Sequence, residues 1–301
     1  MSTDNSDDVL VTEVEYRGYI KTFFTGDDEE ARENAGELLI YLSATPATAS
    51  MLIDFQLFEV CETLLQLRSE RTTERIVTIS LCIINNMLSL QACKEYLLHR
   101  GSLYRALDGV LLDFVDSVVL MEALKTFLIV FSSNCIDIVA VTEETLGKLA
   151  ILLNMIQTNS LCPELIARSW ELAYYIAACQ NSCHAEVFLI ENWRVSSILT
   201  ENMLQRVECL QEGIVDNVSG LGWVLKFVET VFSESSSAAI SLFQSFKAED
   251  LDLISVFVFQ LASSEMTLSR EEGLSLVTSI EAILVHFSED EVGNNYVFLL
   301  M

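Results

Sequence analysis

Residue types that carry chemistry are sparse in this chain and poorly spaced for most of it. The histidines are His99, His184 and His286, and none stands where a nucleophile would meet a base. The segment Cys179-Gln180-Asn181-Ser182-Cys183-His184 offers at most three metal ligands, where structural zinc takes four, and no second cluster with ligand spacing follows. Gly220-Leu221-Gly222 lacks both the third glycine and the preceding strand of a phosphate-cradling loop. The acidic runs Asp27-Asp28-Glu29-Glu30 and Glu289-Asp290-Glu291 lack calcium-loop spacing and read as solvated helix starts favoured by the helix dipole. No catalytic residue, cofactor or metal site is therefore expected, and the chain does not read as an enzyme.

One pattern does recur, and its chemistry is that of binding. Polar and aromatic residues fall at helical spacing along one side of successive apolar segments. The first segment carries Arg71, Glu74, Thr78, Asn85 and Ser89, with Ile76, Ile79, Ile83 and Met87 pointing elsewhere. The next supplies Glu122 and Thr126, the third Glu164, Arg168, Glu171 and Tyr175, and the fourth Ser219, Trp223, Lys226 and Thr230. A Trp or Tyr exposed among such polar groups is suited to anchoring a peptide.

These residues sit on elements that repeat. From about residue 29 onward apolar side chains recur every three or four positions, in segments broken by Ser, Asn, Asp and Gly. Long helices are expected at 71–89, 116–133, 162–179, 216–232 and 269–287, the first three starting about 45 residues apart. Pairs of shorter helices lie between them, at 49–55 and 58–67, then at 90–98 and 103–112. Pro163 suits a first helical turn, where its missing N–H loses no partner, and Ser269 with Glu272 fits a capping box. Three helices per unit and a period in the forties form the armadillo pattern, in which each unit exposes an apolar face that its neighbours cover. The expected fold is all-α, an armadillo-like right-handed superhelical solenoid of about five three-helix repeats. Residues 10–301 are expected to form one such domain behind a disordered acidic tail at 1–9, while 10–24 is too mixed in period to assign. The third helices of such a stack line its concave groove, which makes the polar stripes the expected protein-binding surface.

Composition agrees. Only 2 prolines and 11 glycines occur, too few for the turns of an all-β sandwich, and 51% hydrophobic residues require a large core. Against 17 Lys and Arg stand 44 Asp and Glu, a net charge of −27 that leaves no surplus cation to displace phosphate counterions, so nucleic acid is not an expected partner. Apolar runs are broken by charges or fall well short of the roughly 20 residues that span a bilayer, and the N-terminus lacks a secretory pattern. A chain of this size and apolar content needs no disulfides, so the 8 cysteines are expected as free thiols in a reducing compartment, with Cys82 and Cys135 as small core residues. The apolar end at 296–301 is expected to fold back onto the last helices.

At 71–96 the pattern becomes more specific. Glu74-Arg75-Ile76-Val77 leading into Cys82-Ile83-Ile84-Asn85-Asn86-Met87, then Gln91-Ala92-Cys93, the leucine-rich 103–112 and 116–131, resembles the armadillo-like core of the serum amyloid A-like protein 1 family. The Asn86-Met87 pair is the most specific part, Asn85 stands where that family often has glycine, and the resemblance covers about residues 30–180. It implies a non-enzymatic intracellular protein, nuclear or cytoplasmic, connected with cell proliferation. The ladder of Trp followed four residues later by Asn, used by nuclear import receptors of this fold, is absent: Trp170 is followed by Tyr174 and Trp223 by Phe227, and Leu81 precedes Asn85. A monomeric scaffold binding a protein segment or a folded protein is the expected function. The competing expectation is a chaperone cofactor, a short stack that embraces a heat-shock chaperone and promotes nucleotide release.

Overall fold

The computed structural model describes residues 13–67, 72–91, 93–94, 101–113, 116–133, 143–178, 222–224, 226–227 and 230, and every regular element among them is helical. The chain divides into two compact units, Met1–Thr126 and Phe127–Met301.

In the first unit, α1 (Glu13–Thr25) packs against α2 (Glu29–Ser43) through Tyr16, Ile20 and Phe23, a stripe at helical spacing. Arg17, Gly18 and Lys21 interrupt that stripe in sequence, which is why 10–24 reads as mixed. Arg32 on α2 is 5% exposed and donates from Nε to the Phe23 carbonyl at 3.1 Å, giving a carbonyl in the last turn of α1 a charged partner. Next come α3 (Pro46–Asp54) and α4 (Leu57–Gln66). Pro46 occupies the first turn of α3, and Gln56 turns the chain into α4 with a positive φ of 61°.

The long helix α5 (Glu74–Ser89) starts at Thr73, whose hydroxyl accepts from the Ile76 N–H. It packs on α2 and α4, and Ile76, Ile79, Ile83 and Met87 are wholly buried. Gly36 marks the closest approach of α2 to this core: a Cβ there would stand 2.7 Å from Ile79 Cγ2 and 2.9 Å from Phe23 Cε2. Then α6 (Gly101–Asp113) packs on α4, where Ser102 Oγ donates to the buried Glu62 carboxylate at 2.8 Å. Asp116 starts α7 (Ser117–Phe131) by accepting from the N–H groups of Val118 and Val119 at 2.9 and 3.1 Å. The unit division falls within this helix.

In the second unit, α8 (Glu143–Asn159) and α9 (Pro163–Ala177) pack together, burying Leu149, Leu153 and Ile156 on one and Leu165, Leu172 and Ile176 on the other. Pro163 stands in the first turn of α9, as its chemistry requires. Trp170 is wholly buried, its ring centroid 5.8 Å from that of Phe227.

The long helices observed at 74–89, 117–131 and 163–177 match those read from the sequence, as do the short ones at 46–54, 57–66 and 101–113. Of the expected helix at 90–98, residues 91, 93 and 94 are helical while Leu90 is the extended residue that ends α5, and of that at 216–232 the described residues are helical. The tail at 1–9, the helix at 269–287 with its Ser269 cap, the Cys179 to His184 segment, Cys135 and the apolar end at 296–301 lie outside the described residues.

Candidate functional site

The polar residues read from the sequence as one binding stripe separate into two groups with different work. On α5, Thr78 and Asn85 are buried, as is Thr126 on α7, and Asn85 and Thr126 join the two helices instead of lining an open groove. Asn85 Nδ2 donates to the Glu122 carbonyl at 3.1 Å and to Glu122 Oε2 at 2.8 Å, while Thr126 Oγ1 donates to Asn85 Oδ1 at 2.7 Å and to the Glu122 carbonyl at 3.0 Å. Thr78 Oγ1 donates to the Glu74 carbonyl in its own helix. The reason is crowding: α5 packs against α2 and α4 and is bonded to α7 through Asn85, while Glu74 and Ser89 are exposed near its ends. Thr230 is buried as well, donating to the Lys226 carbonyl at 2.8 Å. Arg71 and Ser219 lie outside the described residues.

Neighbouring Asn86 reaches the other way. Its Nδ2 donates to the Ile40 carbonyl at 3.0 Å and to Ser43 Oγ at 3.2 Å at the end of α2. Adjacent asparagines thus fasten α5 to α2 on one side and to α7 on the other. Glu122 also holds Lys125 at 3.6 Å and takes a hydrogen bond from the Cys82 thiol. Burial, followed by the Glu122 charge, pushes that thiol up to about 11. Cys61, Cys82, Cys93 and Cys162 are free thiols, and Cys61, fully buried beside Glu62 and Glu59, is held protonated even more firmly. The Cys61 and Cys82 thiols therefore stay protonated at neutral pH.

The second group is open. Glu164, Arg168, Glu171 and Tyr175 follow one another up α9 at intervals of one turn, and Trp223 closes the face they form. Cys162, Pro163, Glu164, Ala167, Arg168, Glu171 and Trp223 line an open groove here, with a volume of about 570 Å³. The Trp223 ring lies 5.9 Å from Tyr175 and 5.6 Å from Tyr174, which themselves meet edge to face at 5.0 Å. Lys226 Nζ sits 4.7 Å from the Trp223 ring centroid, within cation–π range. Arg168 Nη1 donates to Glu171 Oε2 at 2.5 Å. Partial burial, then the Glu171 charge and Tyr174, raise the pKa of the Tyr175 phenol.

Six of the residues expected at the binding face therefore converge: Glu164, Arg168, Glu171, Tyr175, Trp223 and Lys226. Tyr174 belongs with them and was missed; its position beside Tyr175 is the signal that could have found it. The two tryptophans have opposite roles, Trp170 in the core and Trp223 half-exposed in the groove. Among the described residues no cluster of three or more His, Cys, Asp or Glu is placed to hold a metal ion. No helix among them is long and apolar enough to cross a membrane.

Solved structures similar to this chain include designed armadillo repeat proteins. A designed armadillo repeat protein in complex with the peptide (KR)4 is similar with a TM-score of 0.63 at 16% identity, over 89% of this chain and 99% of that one. A protein computationally designed for modular peptide recognition gives 0.62 at 14% identity, and another designed armadillo repeat protein 0.60 at 14%, each over 89% of this chain and 99% of its own. The fold is thus the all-α armadillo repeat fold. No protein-family profile matches the chain, and no curated protein does.

Proposed function

We propose that this protein is a non-enzymatic scaffold that binds an extended basic segment of a partner protein in the groove between α9 and Trp223. The observation that carries the reading is the convergence of an aromatic ring set with the carboxylates of Glu164 and Glu171 in an open groove. A guanidinium or ammonium group finds there what it needs, a π face and a carboxylate within one depression. The net charge of −27 favours encounter with a basic partner before any contact forms. A designed protein of the same fold is bound to the alternating basic peptide (KR)4, which makes that peptide a suitable probe. The residues around Asn86-Met87 support a place in the serum amyloid A-like protein 1 family, and with it an intracellular role in cell proliferation.

The experiment is fluorescence anisotropy of labelled (Lys-Arg)4 titrated with the full chain at about 150 mM salt, where long-range attraction is largely screened. Saturable binding weakened about tenfold by Trp223→Ala is expected, since loss of a desolvated ring contact of this kind is worth about 1–2 kcal/mol. Equal binding by wild type and Trp223→Ala would reduce the attraction to net charge and sink the groove as the site.

A further inference from the structure

We propose that the groove is held filled by its own cations, Lys226 on the face of Trp223 and Arg168 on the carboxylate of Glu171, and that a basic partner binds by displacing them. The inference rests on the groove reading and adds how access to it is controlled.

Each of the two groups best able to receive a partner's cation is already engaged by a cation of this chain. Lys226 Nζ stands 4.7 Å from the Trp223 centroid. The tyrosines pack around the same indole at 5.6 and 5.9 Å, so the face under Lys226 is the ring surface an incoming cation would seek. Arg168 donates to Glu171, whose side chain is only 13% exposed, whereas that of Arg168 is 48% exposed. The acceptor is fixed and the donor is not. Both contacts join residues three apart on a helix, a spacing at which pairs are local, weak and readily exchanged with solvent. Each cation sits on a long flexible stem, that of Arg168 about half exposed and that of Lys226 half-buried, which can swing toward water.

Lys226 and Arg168 thus compete with the partner and repel it until displaced. A ligand with one cation opens one pair, and a ligand with cations in series opens both, so the device favours dense basic segments over isolated Lys or Arg. An acidic ligand would behave oppositely, since it would need the same two cations as contacts.

The test measures (Lys-Arg)4 affinity for wild type, Lys226→Met, Arg168→Met, the double variant and Lys226→Arg, with Lys21→Met as a control that removes one exposed positive charge from α1. Far-UV circular dichroism checks that each is folded. Lys226→Met and Arg168→Met should each tighten binding about fivefold or more and the double variant further, whereas Lys226→Arg stays near wild type and Lys21→Met changes affinity less than twofold. Unchanged or weakened binding by Lys226→Met and Arg168→Met, with wild-type binding still dependent on Trp223, overturns the displacement mechanism and leaves the groove intact. Tightening by Lys21→Met equal to that by Lys226→Met reduces the effect to net charge and also overturns it. An acidic peptide that binds wild type and is lost on Lys226→Met reverses the sign of the ligand. No binding of (Lys-Arg)4 by any variant removes the groove reading itself.

Discussion

The side-chain amide of Asn85 donates to both the backbone carbonyl and the carboxylate of Glu122, and its own carbonyl oxygen accepts from Thr126. Polar residues near the end of one long helix and in the middle of the next, which look in sequence like a ligand surface, here satisfy each other across an interface between helices. That spends their hydrogen-bonding capacity inside the protein.

Asn85→Ala is accordingly expected to destabilise the fold by about 1–3 kcal/mol, because it removes the 2.7 Å hydrogen bond from Thr126 and a donor from a half-buried carboxylate. The midpoint of urea denaturation should fall while peptide affinity at the α9 groove stays unchanged. A large loss of affinity without loss of stability would return Asn85 to the binding surface.

Gly36→Ala should cost about 1–3 kcal/mol, since its Cβ would press on Ile79 and on the Phe23 ring, both in the core. Gly18→Ala is the control, with nothing within 4 Å of its added Cβ; on an exposed helix position it should stabilise by about 0.5–1 kcal/mol. Thermal unfolding of the two variants should move in opposite directions.

Stability is expected to be lost at alkaline pH. Below the ordinary thiol value of 9.0, Cys82 is protonated in both folded and unfolded chains and contributes no pH dependence. Above it the unfolded thiol ionises while the folded one keeps its proton until about 11, so the folded state is disfavoured progressively across that interval. Cys61, raised by burial, acts in the same direction, and Tyr104, pushed up to about 12 by burial, follows above pH 10. The melting temperature should be level from pH 7 to 8.5 and decline from pH 9, less steeply in Cys61→Ala and Cys82→Ala.

Trp170 and Trp223 should separate stability from binding. Trp170→Ala empties a wholly buried site against Phe227 and is expected to cost about 3–5 kcal/mol. Trp223→Ala, at a half-exposed position, should cost much less and act on peptide affinity. Comparable destabilisation by both would mean that Trp223 is a core residue.

This contrast also shows where sequence reasoning reached and where it stopped. The helices at 74–89, 117–131 and 163–177 were legible because the period of their apolar residues is set by the core, and Pro163 was legible because proline admits few positions in a helix. The division of the stripe was not. Whether a polar residue on a helix faces water or another helix depends on what packs over it, and nothing near Asn85 in sequence announces that Glu122 and Thr126 will arrive from α7. Glu164, Arg168 and Glu171 line a groove that, among the described residues, Trp223 borders, with Tyr175 against the same ring. The helix at 13–25 was obscured for a different reason: Arg17 and Lys21 lie among Tyr16, Ile20 and Phe23 in sequence but on another side of the helix.

Glu171 links the electrostatics of the groove to a signal that can be read without a ligand. Its carboxylate raises the pKa of the Tyr175 phenol, second only to partial burial, because a phenolate would form beside a negative charge. Glu171→Gln removes that charge, so Tyr175 should ionise at a lower pH than in wild type. The shift is isolated by difference absorbance titration of each protein against its Tyr175→Phe counterpart, which subtracts the other tyrosines. Glu171→Gln also releases Arg168 from its carboxylate, leaving a cation in the groove that repels basic ligands and an amide that cannot attract them. The variant should therefore bind (Lys-Arg)4 several-fold more weakly and with a shallower dependence on salt. A lowered Tyr175 transition with unchanged peptide binding would show that Glu171 faces the tyrosine and not the ligand, and would shift the recognition of the partner's cations to Glu164.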